Sequence, residues 1–386
     1  MTMFSNPFSP IFGGKPDVFF GRERVLNLFD HAMIDVGSDD RAIFITGTRG
    51  SGKTALLEQL SIRATAQKRK VIDLGPENTI SQMVYALTGY DEVTKTVNPQ
   101  ANVSMLGIGG GISGGSVSKT EHIGRENLQT LLLEACSKYK KGILVTVDEI
   151  QKVPIEDVSS LCNAFQMASR KGHDIMLAVA GLPYAYSDVI KHEGCTYLRR
   201  ATHEELGLFT WEEAADSFDK IFSGIKGLRI SDEIIEKLNQ VCYGHPYIMQ
   251  LLGYHLILHI NDHATGKSHV ATDAEVQVAI ENALFAYEQR ALKPLLDELA
   301  NSEKNYLVNM SECLNAERLA DTSDIARKMG VAQNKLSRPR SFLIKHGIIA
   351  SPEYGKVMFC IPYLADYVKK EARVSDAIAV ARQRRV

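Results

Sequence analysis

Six cysteines are spread over 386 residues, at Cys136, Cys162, Cys195, Cys242, Cys313 and Cys360, and no two come near CxxC spacing. That scatter excludes a zinc ribbon and a disulfide framework, and leaves buried thiols in a reducing compartment as the expectation. Long apolar runs are missing too. The most apolar stretches, such as GILVTV from Gly142, fall far short of the ~20 residues a membrane-spanning helix needs. The N-terminus, MTMFSNPFSPIFGGKPDVFF, has no basic segment followed by an apolar core, so it does not read as a secretory signal. A soluble cytoplasmic chain without membrane contact is expected. Nor does one sign of charge dominate: 44 Lys and Arg face 46 Asp and Glu, a net of −2. This excludes a uniformly basic nucleic-acid coat while leaving room for a local basic surface. Hydrophobic residues at 45% and charged residues at 23% are ordinary globular values, and the length suits two or three domains.

What is present is concentrated around RAIFITGTRGSGKTALLEQL, from Arg41. Ala42 to Thr46 lacks polar alternation, as a strand buried on both faces should. It runs into Gly47-Thr48-Arg49-Gly50-Ser51-Gly52-Lys53-Thr54, a GxxxxGK[ST] phosphate loop, and then into an apolar helical pattern. Glycines let backbone N–H groups converge on a phosphate, and the following helix N-terminus adds a favourable field. In that arrangement Lys53 reaches the β/γ-phosphates and the Thr54 hydroxyl ligates Mg²⁺.

Such a loop needs an acid. GILVTVDEIQ, from Gly142, reads as a central strand delivering Asp148 and Glu149 to its C-terminal edge. Asp148 would complete the Mg²⁺ shell, and Glu149 would orient and deprotonate an attacking water, which favours hydrolysis. Further apolar runs at KVIDLG (from Lys70) and Ile175–Gly181 alternate with helical patterns over Thr79–Thr88, Asn127–Tyr139 and Val158–Arg170. The expected fold class is therefore α/β, a doubly wound parallel P-loop sheet. No NKxD occurs, which disfavours a guanine nucleotide and leaves ATP.

FFGRERVLNLFDHA (from Phe19), GTRGSGKT, VDEIQ and CYGHPYIMQLLG (from Cys242) together resemble the archaeal-type P-loop ATPases of the AAA+/STAND assemblage, relatives of origin-recognition ATPases. The resemblance covers nearly the whole chain. It implies that Gly21, Arg22 and Glu23 lie near adenine and ribose, and that Gly244, His245 and Pro246 start a lid helix over the nucleotide. Pro246 also fits the plainer role of a first-turn helix proline. His245 is not expected to be the base, since the Asp-Glu pair fills that role. Two departures bear on turnover. The strand after the Asp-Glu strand ends Ala180-Gly181-Leu182-Pro183, without the polar sensor many members carry there, and no sensor arginine stands beside Gly244-His245-Pro246. Slow or partner-completed hydrolysis is the implied consequence. Arg200, or Arg199 beside it, is a candidate arginine finger, in cis or toward a neighbouring subunit; the alternative is two solvated charges on an edge strand.

GIGGGISGG, residues 107–115, holds six glycines in nine, but no GK[ST] and no helix follow, so a loop or small hairpin is expected there, with a partner-contacting insertion as the alternative. Charge becomes uneven beyond Leu292. Residues 292–386 carry 16 Lys and Arg against 11 Asp and Glu, net +5, while the remainder carries 28 against 35, net −7. A helix from Leu307, a capped helix in DTSDIARKMG with Thr322 or Ser323 as N-cap, a second helix and two short strands give the order of a winged helix-turn-helix. Gln333, Asn334, Lys335, Arg338 and Arg340 would supply donors to duplex DNA, and Lys356 would sit in the wing. Pro339 requires the second helix either to start near it or to kink there. The expected organisation is a P-loop core over 1–205, a helical lid over 206–291 and the winged helix over 292–386. The function expected is an ATP-driven DNA-binding switch, with a homo-oligomer or protein partner. The other reading is a signalling ATPase whose winged helix binds protein.

Overall fold

The computed structural model describes residues 4–11, 19–89, 127–264 and 266–383; the glycine-rich stretch 107–115 lies outside the described residues. Five parallel strands form the main sheet: β1 (Ala42–Gly47), β2 (Lys70–Leu74), β3 (Ile143–Val147), β4 (Ile175–Gly181) and β5 (Thr202–Leu206). Their order is β2-β3-β4-β1-β5. All of β1, β3 and β4 is buried, as their unbroken apolar sequences require of strands covered on both faces.

One face packs Phe44, Val145, Val147, Leu177 and Val179 against α3 (Thr79–Thr88), α4 (Leu128–Lys138) and α5 (Ile155–Arg170). The other packs Ile43, Ile45, Leu144 and Met176 against α1 (Glu23–Ile34) and α2 (Lys53–Ala66). Two short helices, α6 (Pro183–Lys191) and α7 (Thr196–Arg199), connect β4 to β5. Because β4 lies between β1 and β3, the phosphate loop after β1 and the Asp-Glu pair after β3 flank the C-terminal end of β4.

A helical region follows: α8 (Trp211–Ser223), α9 (Asp232–Cys242), α10 (Pro246–His263) and α11 (Asp273–Tyr287), with β6 (Leu228–Arg229) paired to β7 (His269–Val270). A π-helical turn at Glu288–Leu292 and α12 (Lys293–Asp297) lead into α13 (Asn301–Glu312). Then come β8 (Leu319–Asp321), α14 (Thr322–Lys328), α15 (Ser337–Lys345), β9 (Ile349–Ala350), β10 (Lys356–Phe359) and α16 (Leu364–Gln383), with strand order β8-β10-β9. This is a winged helix, and β8 is a strand additional to the two expected. Asp321 occupies the N-cap position of α14 without a side-chain capping bond, so Thr322 and Ser323 are already inside the helix. Pro339 sits in the first turn of α15, where the missing N–H removes no helical bond.

The helical region and the winged helix share one continuous apolar core, from Phe218 and Leu252 through Tyr287 and Tyr306 to Leu343 and Leu364. Phe4 and Phe8 join that core, Phe8 meeting Phe222 at 5.2 Å between ring centroids. Residues 4–11 therefore pack on the helical region, not on the sheet. No described helix is long and apolar enough to cross a membrane.

Candidate functional site

The turn after β1 brings Gly47–Thr54 around the N-terminus of α2. Gly52 is the helix N-cap at φ +93°, a backbone conformation that L side chains rarely adopt, and no atom lies where its Cβ would stand. No side chain caps α2, so its first N–H groups face an open cradle. The Ser51 hydroxyl in the same loop is buried without a hydrogen-bond partner. An uncapped helix end and an open cradle together fit a bound phosphate.

Lys53 is buried and folds back to donate to the carbonyls of Gly47 (3.0 Å) and Thr48 (2.9 Å). Burial lowers its pKa, with Glu149 and Asp148 opposing that shift. Thr54 Oγ1 donates to Asp148 Oδ2 at 2.6 Å, so the two oxygens expected on Mg²⁺ converge although 94 residues separate them. Two protein oxygens are a usual complement for Mg²⁺, which keeps several waters and takes phosphate oxygens. Among the described residues no group of three or more His, Cys, Asp or Glu could hold a metal.

Glu149 has φ +52° and begins a short 3₁₀ turn. Its Oε2 accepts from Gln151 Nε2 at 2.7 Å and lies 3.3 Å from Lys152 Nζ. Gln151 Oε1 in turn accepts from the Leu182 N–H at 3.1 Å, at the end of β4. The polar group absent from Ala180-Gly181-Leu182 is thus supplied from the adjacent loop by Gln151. Gly181 makes room for it, since a Cβ there would meet Gln151 Oε1 at 2.8 Å.

A cavity of about 370 Å³ extends from the phosphate loop between the N-terminal segment and the helical region; Phe20, Arg22, Phe209, Pro246 and Gln250 are among its walls. Gly21 and Arg22 are both left-handed, and the Arg22 guanidinium lies 4.8 Å from the centre of the Phe209 ring while donating to the Gly207 carbonyl. Burial lowers the Arg22 pKa, and Glu213 partly offsets this. Pro246 is the first residue of α10, and His245 is its N-cap, Nδ1 accepting from the Ile248 N–H at 3.4 Å. His245 Nε2 lies 3.3 Å from the Arg49 carbonyl and is placed to donate to it. The imidazole is therefore a neutral link between lid and phosphate loop, and burial pushes its pKa down to about 4.

Arg49 reaches from the loop toward the segment that leads into the winged helix, and it and its partner Glu298 both border the cavity. Arg49 Nη2 is 2.6 Å from Glu298 Oε2, on the connection between α12 and α13. Beyond it the C-terminal end of α15 rests on α6: Lys345 Nζ is 2.7 Å from Asp188 Oδ2, His346 packs on Tyr184, and Gly347 approaches Thr48 and Pro183.

Arg200 is not brought to the site. It precedes β5, whose Thr202 pairs with Ile43 and whose Leu206 pairs with Gly47. Six residues of extended chain place it about 20 Å from the phosphate loop, at the opposite edge of the sheet. The expectation of a finger in cis is corrected on that ground, and the exposed Arg199 lies at the same far edge.

In the winged helix, Lys335 and Arg338 are exposed, whereas Arg340 is half-buried beside Tyr306. Gln333, expected among the base readers, instead donates to Thr322 Oγ1 at 2.6 Å. Lys356 lies 3.0 Å from Glu353 within the wing, and Tyr354 projects fully into solvent. No motif marks Phe209 or Glu298, and the VDEIQ stretch that ends at Gln151 gives that residue no role. Only the approach of separate loops identifies them.

Comparison with known proteins gives three findings. Residues 289–368 match a family model described as a domain of unknown function, DUF8462. No curated protein matches the sequence. Among solved structures, the Aeropyrum pernix ORC2 protein in its ADPNP-ADP complexes is 16% identical, with 99% of this chain and 100% of that chain covered and a TM-score of 0.66. The ADP form of the same protein gives 14%, 96% and 99%, and 0.56. Cdc6p of Pyrobaculum aerophilum gives 15%, 96% and 98%, and 0.50.

Proposed function

We propose, for a chain that has the fold of the archaeal ORC and Cdc6 proteins, that it binds ATP with Mg²⁺, hydrolyses it, and uses the nucleotide to reposition a DNA-binding winged helix. The ADPNP and ADP complexes of the Aeropyrum pernix ORC2 protein support an adenine nucleotide here. The parts are read as a P-loop core over 1–205, a helical lid over 206–291 and the winged helix over 292–386.

In this reading the cradle of Gly50, Ser51 and Gly52 binds the phosphates through backbone N–H groups, and Lys53 leaves the Gly47 and Thr48 carbonyls to meet them. Thr54 and Asp148 hold Mg²⁺, which supplies charge neutralisation on the phosphate oxygens. Glu149 takes the proton of the attacking water, and Gln151 fixes the orientation of its carboxylate. Gly21 and Arg22 close the far end of the cavity, and Pro246 closes its lid side.

The single observation carrying the switch is the Arg49–Glu298 pair. It ties the phosphate loop to the segment that leads into the winged helix. Phosphate competes with Glu298 for the same guanidinium, so nucleotide binding weakens that tie. Arg338 and Lys345 are seven residues apart and share one face of α15, and the Lys345 end of that face is occupied by α6. Release from α6 would open the whole face to a DNA major groove, with Lys335 and Arg338 reaching bases or phosphates, the half-buried Arg340 adding positive charge behind them and Lys356 in the wing touching backbone.

The docked end of α15 also favours a second reading, a signalling ATPase whose winged helix binds protein. Gel-shift and ATPase assays run together separate the two. The first reading expects duplex binding that changes with nucleotide and is lost when Lys335, Arg338 and Arg340 are all changed to Glu. Unaltered duplex binding by that triple variant would remove this surface from the function.

A further inference from the structure

The geometry points to a second nucleic-acid contact, on the edge of the ATPase sheet opposite the nucleotide, made to the phosphate backbone of duplex DNA. Strands β2, β3 and β4 are neighbours, and Lys70 stands in register with Ile143, which stands in register with Ile175. The turns entering them, AQKRK (66–70), SKYKKG (137–142) and RKGHD (170–174), therefore lie side by side, one strand spacing of about 4.8 Å apart. Those three turns hold eight Lys and Arg and a single acid, Asp174, in a chain whose total charge is −2. A cleft of about 590 Å³ opens there, walled in part by Arg63, Arg69, Lys140 and Lys141.

Part of this charge has a structural use. Arg69 is buried and pairs with Asp174 at 2.6 Å, Arg41 joins the same carboxylate, and Arg63 pairs with Asp30. Helices α2, α4 and α5 end at this edge, and cations offset their carbonyl ends. Asp30 and, in the turn entering β1, Asp39 and Asp40 also border this edge, against Arg41 and Arg63, and three helix ends amount to about −1.5 charges; together they leave an excess of cations. Lys68, Lys140, Lys141, Arg170 and Lys171 are exposed, and none forms an ion pair among the described residues.

The chemistry of the patch selects its occupant. Tyr139, the aromatic of these turns, has Lys70 and Lys138 nitrogens 5.8 and 5.3 Å from its ring centre, so it offers no free platform for an unstacked base. Amide side chains that would read base edges are nearly absent from the three turns. What remains is a row of ammonium and guanidinium groups. Such a row suits regularly spaced phosphates and is indifferent to sequence.

This surface is separate from the winged helix, and the two are tested apart. In the full-length protein, Lys140, Lys141 and Lys171 are changed together to Glu, and binding to a random-sequence duplex is followed from 50 to 200 mM salt. The expected result is at least tenfold weaker binding at the low end, and a log–log salt slope shallower by about 0.9 for each phosphate that the variant no longer neutralises. Nucleotide affinity stays at the wild-type value, which shows the core is folded. The same three positions changed to Gln give an intermediate weakening. Wild-type affinity and slope in the Glu variant would overturn the inference. So would intact duplex binding combined with abolished sedimentation on phosphatidylserine vesicles, which would assign the patch to anionic lipid. A wild-type-like result for the Lys335, Arg338 and Arg340 variant alongside weakened binding in this one would leave the inference standing and remove the winged helix from DNA binding instead.

Discussion

Lys53 and Glu149 line the same cavity, and on the proposed function they separate binding from turnover. Replacing Lys53 by Ala removes a charge-assisted bond worth about 1.5–3 kcal/mol, so ATP affinity should fall about 10–100-fold by calorimetry. Glu149→Gln keeps the shape and loses the base; it should bind ATP normally and turn over at least about 100-fold more slowly. Wild-type turnover in that variant would remove Glu149 from the chemistry. Gln151 touches Glu149 and the end of β4 at once, so Gln151→Ala should lower turnover by about tenfold with nucleotide affinity unchanged. The phosphate loop and the Asp-Glu pair are legible in sequence because the loop's motif is contiguous and both follow apolar strands. Gln151 is not, because its role depends on Leu182, 31 residues away, lying within hydrogen-bond reach.

Helix α10 begins where lid and phosphate loop meet, and its cap is a histidine that must stay neutral. With a folded pKa of about 4 against an ordinary 6.5, the unfolded chain binds the extra proton between those values. The cap's contribution is therefore full above pH 6.5 and is lost as pH falls toward 4, by about 3 kcal/mol in all. His245→Asn keeps a good cap without a titrating group. Its thermal midpoint at pH 5, relative to pH 7, should fall less than that of the wild type. An equal fall in both proteins would exclude His245 as the source. The elements themselves are largely readable: Thr79–Thr88 and Ile175–Gly181 match the sequence patterns residue for residue. Strand β8 is not, because three residues carry too little periodicity to register, and its pairing with β10 is settled only by the folded wing.

Across the whole molecule, the phosphate loop and the winged helix are joined through an exposed ion pair. Such pairs are worth at most about 1 kcal/mol, which is the right size for a tie that a nucleotide should loosen. Glu298→Gln should raise ATP affinity by no more than about fivefold and speed amide exchange in α15 in the nucleotide-free protein. Exchange in α15 equal to wild type would disconnect the pair from docking. The charge division of −7 and +5 along the sequence is also redistributed in space. Within the acidic part, three turns distant in sequence assemble a basic edge, because parallel strands place all their entries on one side.

By itself the sequence determined the phosphate loop, the α/β class and the order of the winged helix, since each is written in contiguous residues with a local physical cause. Only the tertiary structure decided that Arg200 lies at the far edge, that Gln151 bridges Glu149 and the end of β4 and that Arg49 is turned toward Glu298. Those outcomes depend on which loops the sheet order brings together, and no local pattern of residues encodes that order.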